Sequence, residues 1–96
     1  MPQAISTIPT RDGSRLIKRL CTHWAHKLEV SFDETTARVV FDADTITHLN
    51  ARPDALEARI DAPDEARLAQ IQDVVASHLL RMARGETLEI TRDAAV

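Results

Sequence analysis

Between residues 28 and 61 apolar and polar side chains alternate in short runs, and nothing else in the chain limits its fold as strongly. Leu28, Val30 and Phe32 share one side of the first run, with Glu29 and Ser31 on the other. Ala37, Val39 and Phe41 alternate with Arg38, Val40 and Asp42, and Leu56, Ala58 and Ile60 alternate with Glu57, Arg59 and Asp61. Successive side chains of a strand point to opposite faces, so each run predicts a strand with one apolar and one polar face. Asp33-Glu34-Thr35, Asp42-Ala43-Asp44 and Pro53-Asp54 read as the tight turns between them. Residues 45–51 form one more run whose facing stays open: either Thr45, Thr47, Leu49 and Ala51 point inward, or Ile46, His48 and Asn50 do. Four strands on short connections predict an antiparallel meander.

Two segments carry the helical period instead. In residues 12–26, Ile17, Leu20, Cys21 and Trp24 recur on one face, with Leu28 in line one turn further on. Arg15, Arg19 and His26 fall on the opposite side, with Lys18, Thr22 and His23 on the flanks, and Thr10 or Asp12 is placed to cap the start. The second helix opens on Asp61, Pro63, Asp64 and Glu65, buries Leu68, Ile71, Val75, Leu79 and Met82, and is expected to end at Gly85. A first strand over about 4–9, closed by Pro9, and a last one around Leu88 and Ile90 complete the chain, with a frayed tail from Asp93 to Val96.

The predicted fold class is therefore α+β: one domain over residues 1–96, with order β-α-β-β-β-β-α-β. Two one-sided helices and a one-sided sheet pack most simply as a single antiparallel sheet with both helices on one face. The other face would carry Glu29, Ser31, Arg38, Asp42, Glu57, Arg59, Asp61 and Glu89, either solvated or as a homodimer surface.

Composition narrows the function classes. The net charge is −3, which argues against nucleic acid or an anionic membrane as the main partner. Trp24, Phe32 and Phe41 are the only aromatic residues, too few for a base-stacking platform. A lone cysteine, Cys21, builds no disulfide framework. With no signal-peptide pattern and no apolar run of spanning length, the cytoplasm is the expected location.

The densest chemistry lies in Cys21-Thr22-His23-Trp24-Ala25-His26-Lys27. A thiol and two imidazoles are transition-metal ligands. On a continuous helix, however, Cys21 and His23 point to different sides, so His23 and His26 would have to share the ion with His48, His78 or a carboxylate. His78 falls at the border of the second helix's apolar face. Arg15, Lys18, Arg19 and Lys27 make the same side of the first helix basic, a surface for an anion or an acidic partner. No glycine-rich phosphate loop and no nucleophile elbow is present, so no catalytic residue is assigned.

The run Leu20-Cys21-Thr22-His23-Trp24-Ala25-His26-Lys27 resembles the distinctive block of a bacterial family, domain of unknown function 2218. The resemblance extends to Val30-x-Phe32-Asp33, to Pro53-Asp54-Ala55-Leu56, to the helix from Leu68 to Arg84 and to the strand at Leu88. It implies no activity. It does imply an association with siderophore-interacting flavin reductases, and so a role around intracellular iron release with such a reductase as a separate partner.

Two classes of function follow from these readings. One is a non-enzymatic binding or accessory module, expected as a homodimer. The other is a small metal-dependent or thiol enzyme built on Cys21, His23, His26 and His78. Beside these two stands a reading without ligand or chemistry, a purely structural homodimer.

Overall fold

The computed structural model describes residues 2–83 and, as backbone alone, 93–95. Its elements run β1 (Gln3–Pro9), α1 (Gly13–Trp24), β2 (Glu29–Phe32), β3 (Thr36–Asp42), β4 (Thr45–Arg52), β5 (Ala55–Asp61), α2 (Glu65–Met82) and β6 (Asp93–Ala95). The order is the expected β-α-β-β-β-β-α-β. The strands form one six-stranded sheet in the order β2-β3-β4-β5-β1-β6, every neighbouring pair antiparallel.

The meander from β2 to β5 grows by short turns, and β1 then docks on the free edge of β5, Ala4 opposite Ile60 and Ile8 opposite Leu56. This register fixes the facing that alternation left open in β4. Leu49 stands between Ala37 and Ala58, and Thr47 between Val39 and Ile60. Thr45, Thr47 and Leu49 are therefore buried, while Ile46, His48 and Asn50 look outward and are half-exposed.

Both helices cover the inner face. Helix α1 lies over β2, β3 and β4, and α2 lies over β5 and β1. Ile17, Leu20 and Cys21 of α1 and Leu68, Ile71, Val75 and Leu79 of α2 join Ile8, Val39, Leu49 and Leu56 of the sheet in one core. Truncating any of its fully buried leucines to alanine would cost about 2–5 kcal/mol. The fully buried large side chains are almost all aliphatic, and Trp24 is the one aromatic side chain among the buried core residues.

Helix α2 starts as its acidic opening implies. The Asp64 carboxylate accepts the Arg67 N–H at 2.7 Å, and Arg67 reaches on to Asp42 at the end of β3 at 2.9 Å. Asp42 therefore does not belong to the open face assigned to it from alternation. A register shift between Val40 and Asp42 breaks the period, and the carboxylate meets α2 instead. The Asp44 N–H, first, and Arg67 hold its carboxyl below the usual carboxylate range.

Three further details differ from the sequence reading. Asp12 makes no side-chain cap on α1; the Thr10 hydroxyl accepts the Asp12 N–H at 3.0 Å. Helix α1 ends at Trp24, two residues early, because the Trp24 carbonyl takes the N–H groups of both Lys27 and Leu28 and turns the chain into β2. Within the tail expected to fray, Asp93–Ala95 instead adds a strand along β1, Gln3 opposite Ala95 and Ile5 opposite Asp93. Gly85, Glu89 and the strand expected at Leu88 and Ile90 lie outside the described residues.

Candidate functional site

With Gly13, Leu16, Ile17, Leu20, Cys21 and Trp24 buried, the 3.6-residue period leaves the other side of α1 toward solvent. Arg15, Lys18, Arg19, Thr22 and His23, with His26 from the following turn and Met82 from the end of α2, line an open groove of about 630 Å³. A second hollow of about 600 Å³ continues it past Arg15 and Lys18 to Phe32, Asp33 and Glu34. The surface is thus cationic at the helix and acidic at the β2–β3 turn. Asp33 is already committed there. Its carboxylate accepts the N–H groups of Thr35 and Thr36 at 2.8 Å each, which lowers its pKa.

The four predicted cations do not share one role. Arg15 and Lys18 line the groove and form no ion pair among the described residues. Arg19 donates Nη1 to the Met82 carbonyl at 2.9 Å, tying α1 to the C-terminal end of α2, where a cation is favoured. The side chain of Lys27 is not part of the groove lining.

The histidines divide as well. His23 and His26 both line the groove. His23 also meets His78 of the other helix, ring centroids 5.8 Å apart, a contact that neither helix reveals alone. His78 packs on Trp24 at 5.1 Å, and Trp24 meets Phe41 edge-on at 5.3 Å, so four rings run from the core to the groove. His78 Nδ1 lies 2.7 Å from the Val74 carbonyl, an acceptor, so Nδ1 carries the proton.

Cys21 does not join them. It is fully buried, and that burial pushes its thiol up to about 11, so at neutral pH it is a protonated core side chain rather than a thiolate. His23 and His78 offer two imidazoles, half of a structural zinc set. Among the described residues no three His, Cys, Asp or Glu side chains gather where a cation could sit.

One set of residues escaped the sequence reading. Arg38, His48 and Arg59 stand side by side on the open sheet face, because β3, β4 and β5 align them in register. Arg38 and Arg59 were legible as outward residues. His48 joins them only once the facing of β4 is known.

The profile of a family described as an uncharacterized protein conserved in bacteria, DUF2218, matches residues 5–91. The chain belongs to the DUF2218 family. A DUF2218-like fold also has an experimental counterpart. The NMR structure of PA4090 from Pseudomonas aeruginosa is 40% identical, with a TM-score of 0.82, over 97% of this chain and 96% of that one. No match was found among the curated proteins. No helix among the described residues is long and apolar enough to cross a membrane.

Proposed function

We propose that this DUF2218 domain is a non-enzymatic binding module that takes an anionic ligand in the groove beside α1. The observation that carries this reading is the groove itself. Arg15, Lys18, His23 and His26 line one hollow on a chain whose overall charge is negative, and neither Arg15 nor Lys18 is neutralised by an ion pair among the described residues. Concentrated positive charge on an acidic protein attracts anions locally. The buried, protonated Cys21 supports binding over thiol chemistry.

The iron association implied by the family resemblance makes an anionic ferric siderophore the first ligand to try, with a separate reductase as partner. Leu80, exposed on α2, is a candidate contact for a homodimer. Native mass spectrometry tests these points together, on the protein as purified and after addition of Fe(II), Zn(II) or a ferric tris-catecholate. The expected result is uptake of the ferric chelate at one per chain or per dimer. That uptake should be lost in the His23→Ala/His26→Ala variant and weakened in Arg15→Gln/Lys18→Gln, with folding intact because these side chains lie outside the core. Equal uptake by well-folded variants, or none by the parent, would overturn the reading.

A further inference from the structure

The open face of the sheet, opposite the helices, carries a second cationic feature. In register, Arg38 of β3 lies opposite His48 of β4, and His48 opposite Arg59 of β5. Neighbours in such a ladder have Cα atoms about 5 Å apart, so three basic side chains stand in one lateral row. The row faces away from both helices, since the residues that alternate with it, Val39, Thr47, Leu49 and Ile60 among them, are buried in the core.

Among the described residues one carboxylate, Asp61, pairs with this row, loosely with both Arg59 and His48. Glu57 is paired with Arg52 at 2.8 Å. Asp61 accepts the Gln3 amide at 2.6 Å through Oδ1, and its Oδ2 stands 3.6 Å from Arg59 Nε and 3.8 Å from His48 Nε2, beyond good hydrogen-bond distance. The Arg38 guanidinium forms no ion pair among the described residues. On either side of His48 the surface is hollowed. One hollow of about 390 Å³ reaches Ser31, Asp33, Thr36 and Arg38, and another of about 310 Å³ reaches Asn50, Glu57 and Arg59; both carboxylates are engaged, Asp33 by the Thr35 and Thr36 N–H groups and Glu57 by Arg52. Their volumes fall at the lower end of small-molecule sites, roughly 300–1,000 Å³.

From this geometry we infer that the Arg38–His48–Arg59 row binds the phosphate of a small phosphomonoester, with the two guanidiniums holding its oxygens from either side and His48 donating between them. Three donors from three strands suit a tetrahedral dianion, which offers three oxygens at once; a planar carboxylate offers two. Ser31, Thr36 and Asn50 at the rims supply neutral polar contacts to the rest of the molecule.

The charge environment of His48 supplies the readout. Burial, then Arg59 and Arg38, lower its pKa, and only Asp61 pulls the other way. A bound dianion adds negative charge beside the ring and favours its protonated form.

The test is a histidine ring-proton NMR titration with inorganic phosphate and with glucose 6-phosphate, at constant ionic strength, on the full chain. His78, which lines neither these hollows nor the groove beside α1, serves as the internal reference. We expect the His48 signals to shift saturably and its titration midpoint to rise. Arg38→Gln/Arg59→Gln should weaken binding at least about tenfold, the scale of losing charge-assisted hydrogen bonds, while amide dispersion stays that of the parent. Three outcomes would each overturn the inference: His48 signals that stay still, equal shifts in matched sodium chloride, or unchanged affinity in a folded double variant. Phosphate shifts confined to His23 and His26 would also overturn it, while leaving the groove beside α1 as the anion site.

Discussion

His78 packs its imidazole 5.1 Å from the indole of Trp24 and anchors Nδ1 on the Val74 carbonyl at 2.7 Å. The ring thus covers the one tryptophan, whose side chain is otherwise the outer wall of the core beneath α1. Removing it in His78→Ala uncovers the indole and deletes a ring contact. The expected loss is about 1–2 kcal/mol in urea unfolding, with a red shift of Trp24 emission in the folded state. Unchanged emission and stability would mean that the contact is not maintained in solution.

Cys21 yields a second expectation. It sits against the sheet with no exposed surface, and burial raises its thiol to about 11. Iodoacetamide at mildly alkaline pH should leave it unmodified in the native protein and modify it on unfolding, as mass spectrometry would show. Cys21→Ala should cost about 1 kcal/mol, the price of removing one buried heavy atom. Rapid native alkylation would contradict the packing.

These two residues also show which parts of the structure can be read from a sequence. Cys21 and Trp24 declare their burial through the helical period, because α1 has a single apolar face. The Trp24–His78 contact does not declare itself, since it depends on how two helices sit beside each other on the sheet. The facing of β4 stayed open for a related reason. Thr45 and Thr47 are polar yet buried, while Ile46 is apolar yet points outward. Hydropathy is therefore nearly balanced between the two faces, and pairing with Ala37 and Ala58 decides the matter. The groove cations were legible from helical spacing. The lateral row through His48 was not, because it requires register across three strands.

Gly13 opens α1 at a close approach that composition alone does not flag. A Cβ there would lie 3.0 Å from Ala51 Cβ, 3.4 Å from Ala51 Cα and 3.5 Å from the Ala55 carbonyl oxygen. A single methyl group would need Ala51 to give by a few tenths of an ångström. A branched side chain would push α1 off the β4–β5 turn. Gly13→Val should thus lose about 1–3 kcal/mol, the usual range for overpacking. Gly13→Ala should lose less, and pairing it with Ala51→Gly should restore most of the difference in thermal unfolding.

The Thr47 hydroxyl is buried and has no hydrogen-bond partner among the described residues. An unpaired buried polar group costs roughly 1–3 kcal/mol in lost hydration. Valine has nearly the same shape and removes that cost, so Thr47→Val should raise stability by about 1 kcal/mol in chemical denaturation. A destabilised variant would point to a partner for the hydroxyl, such as an ordered water.

Acid should expose the lowered pKa of His48, and the sign can be worked out. Burial, Arg59 and Arg38 favour the neutral ring in the folded state against the opposing pull of Asp61. Above about pH 6.5 the ring is neutral in both states and contributes nothing that varies with pH. As the pH falls below that value the unfolded chain takes up a proton before the folded one does, so stability declines until the folded ring protonates as well. In His48→Gln this component is absent. The loss of stability between about pH 7 and pH 5 should therefore be smaller in the variant than in the parent. Urea midpoints at the two pH values measure the difference. A steeper acid loss in the variant would mean that Asp61, rather than burial and the two arginines, dominates the environment of His48.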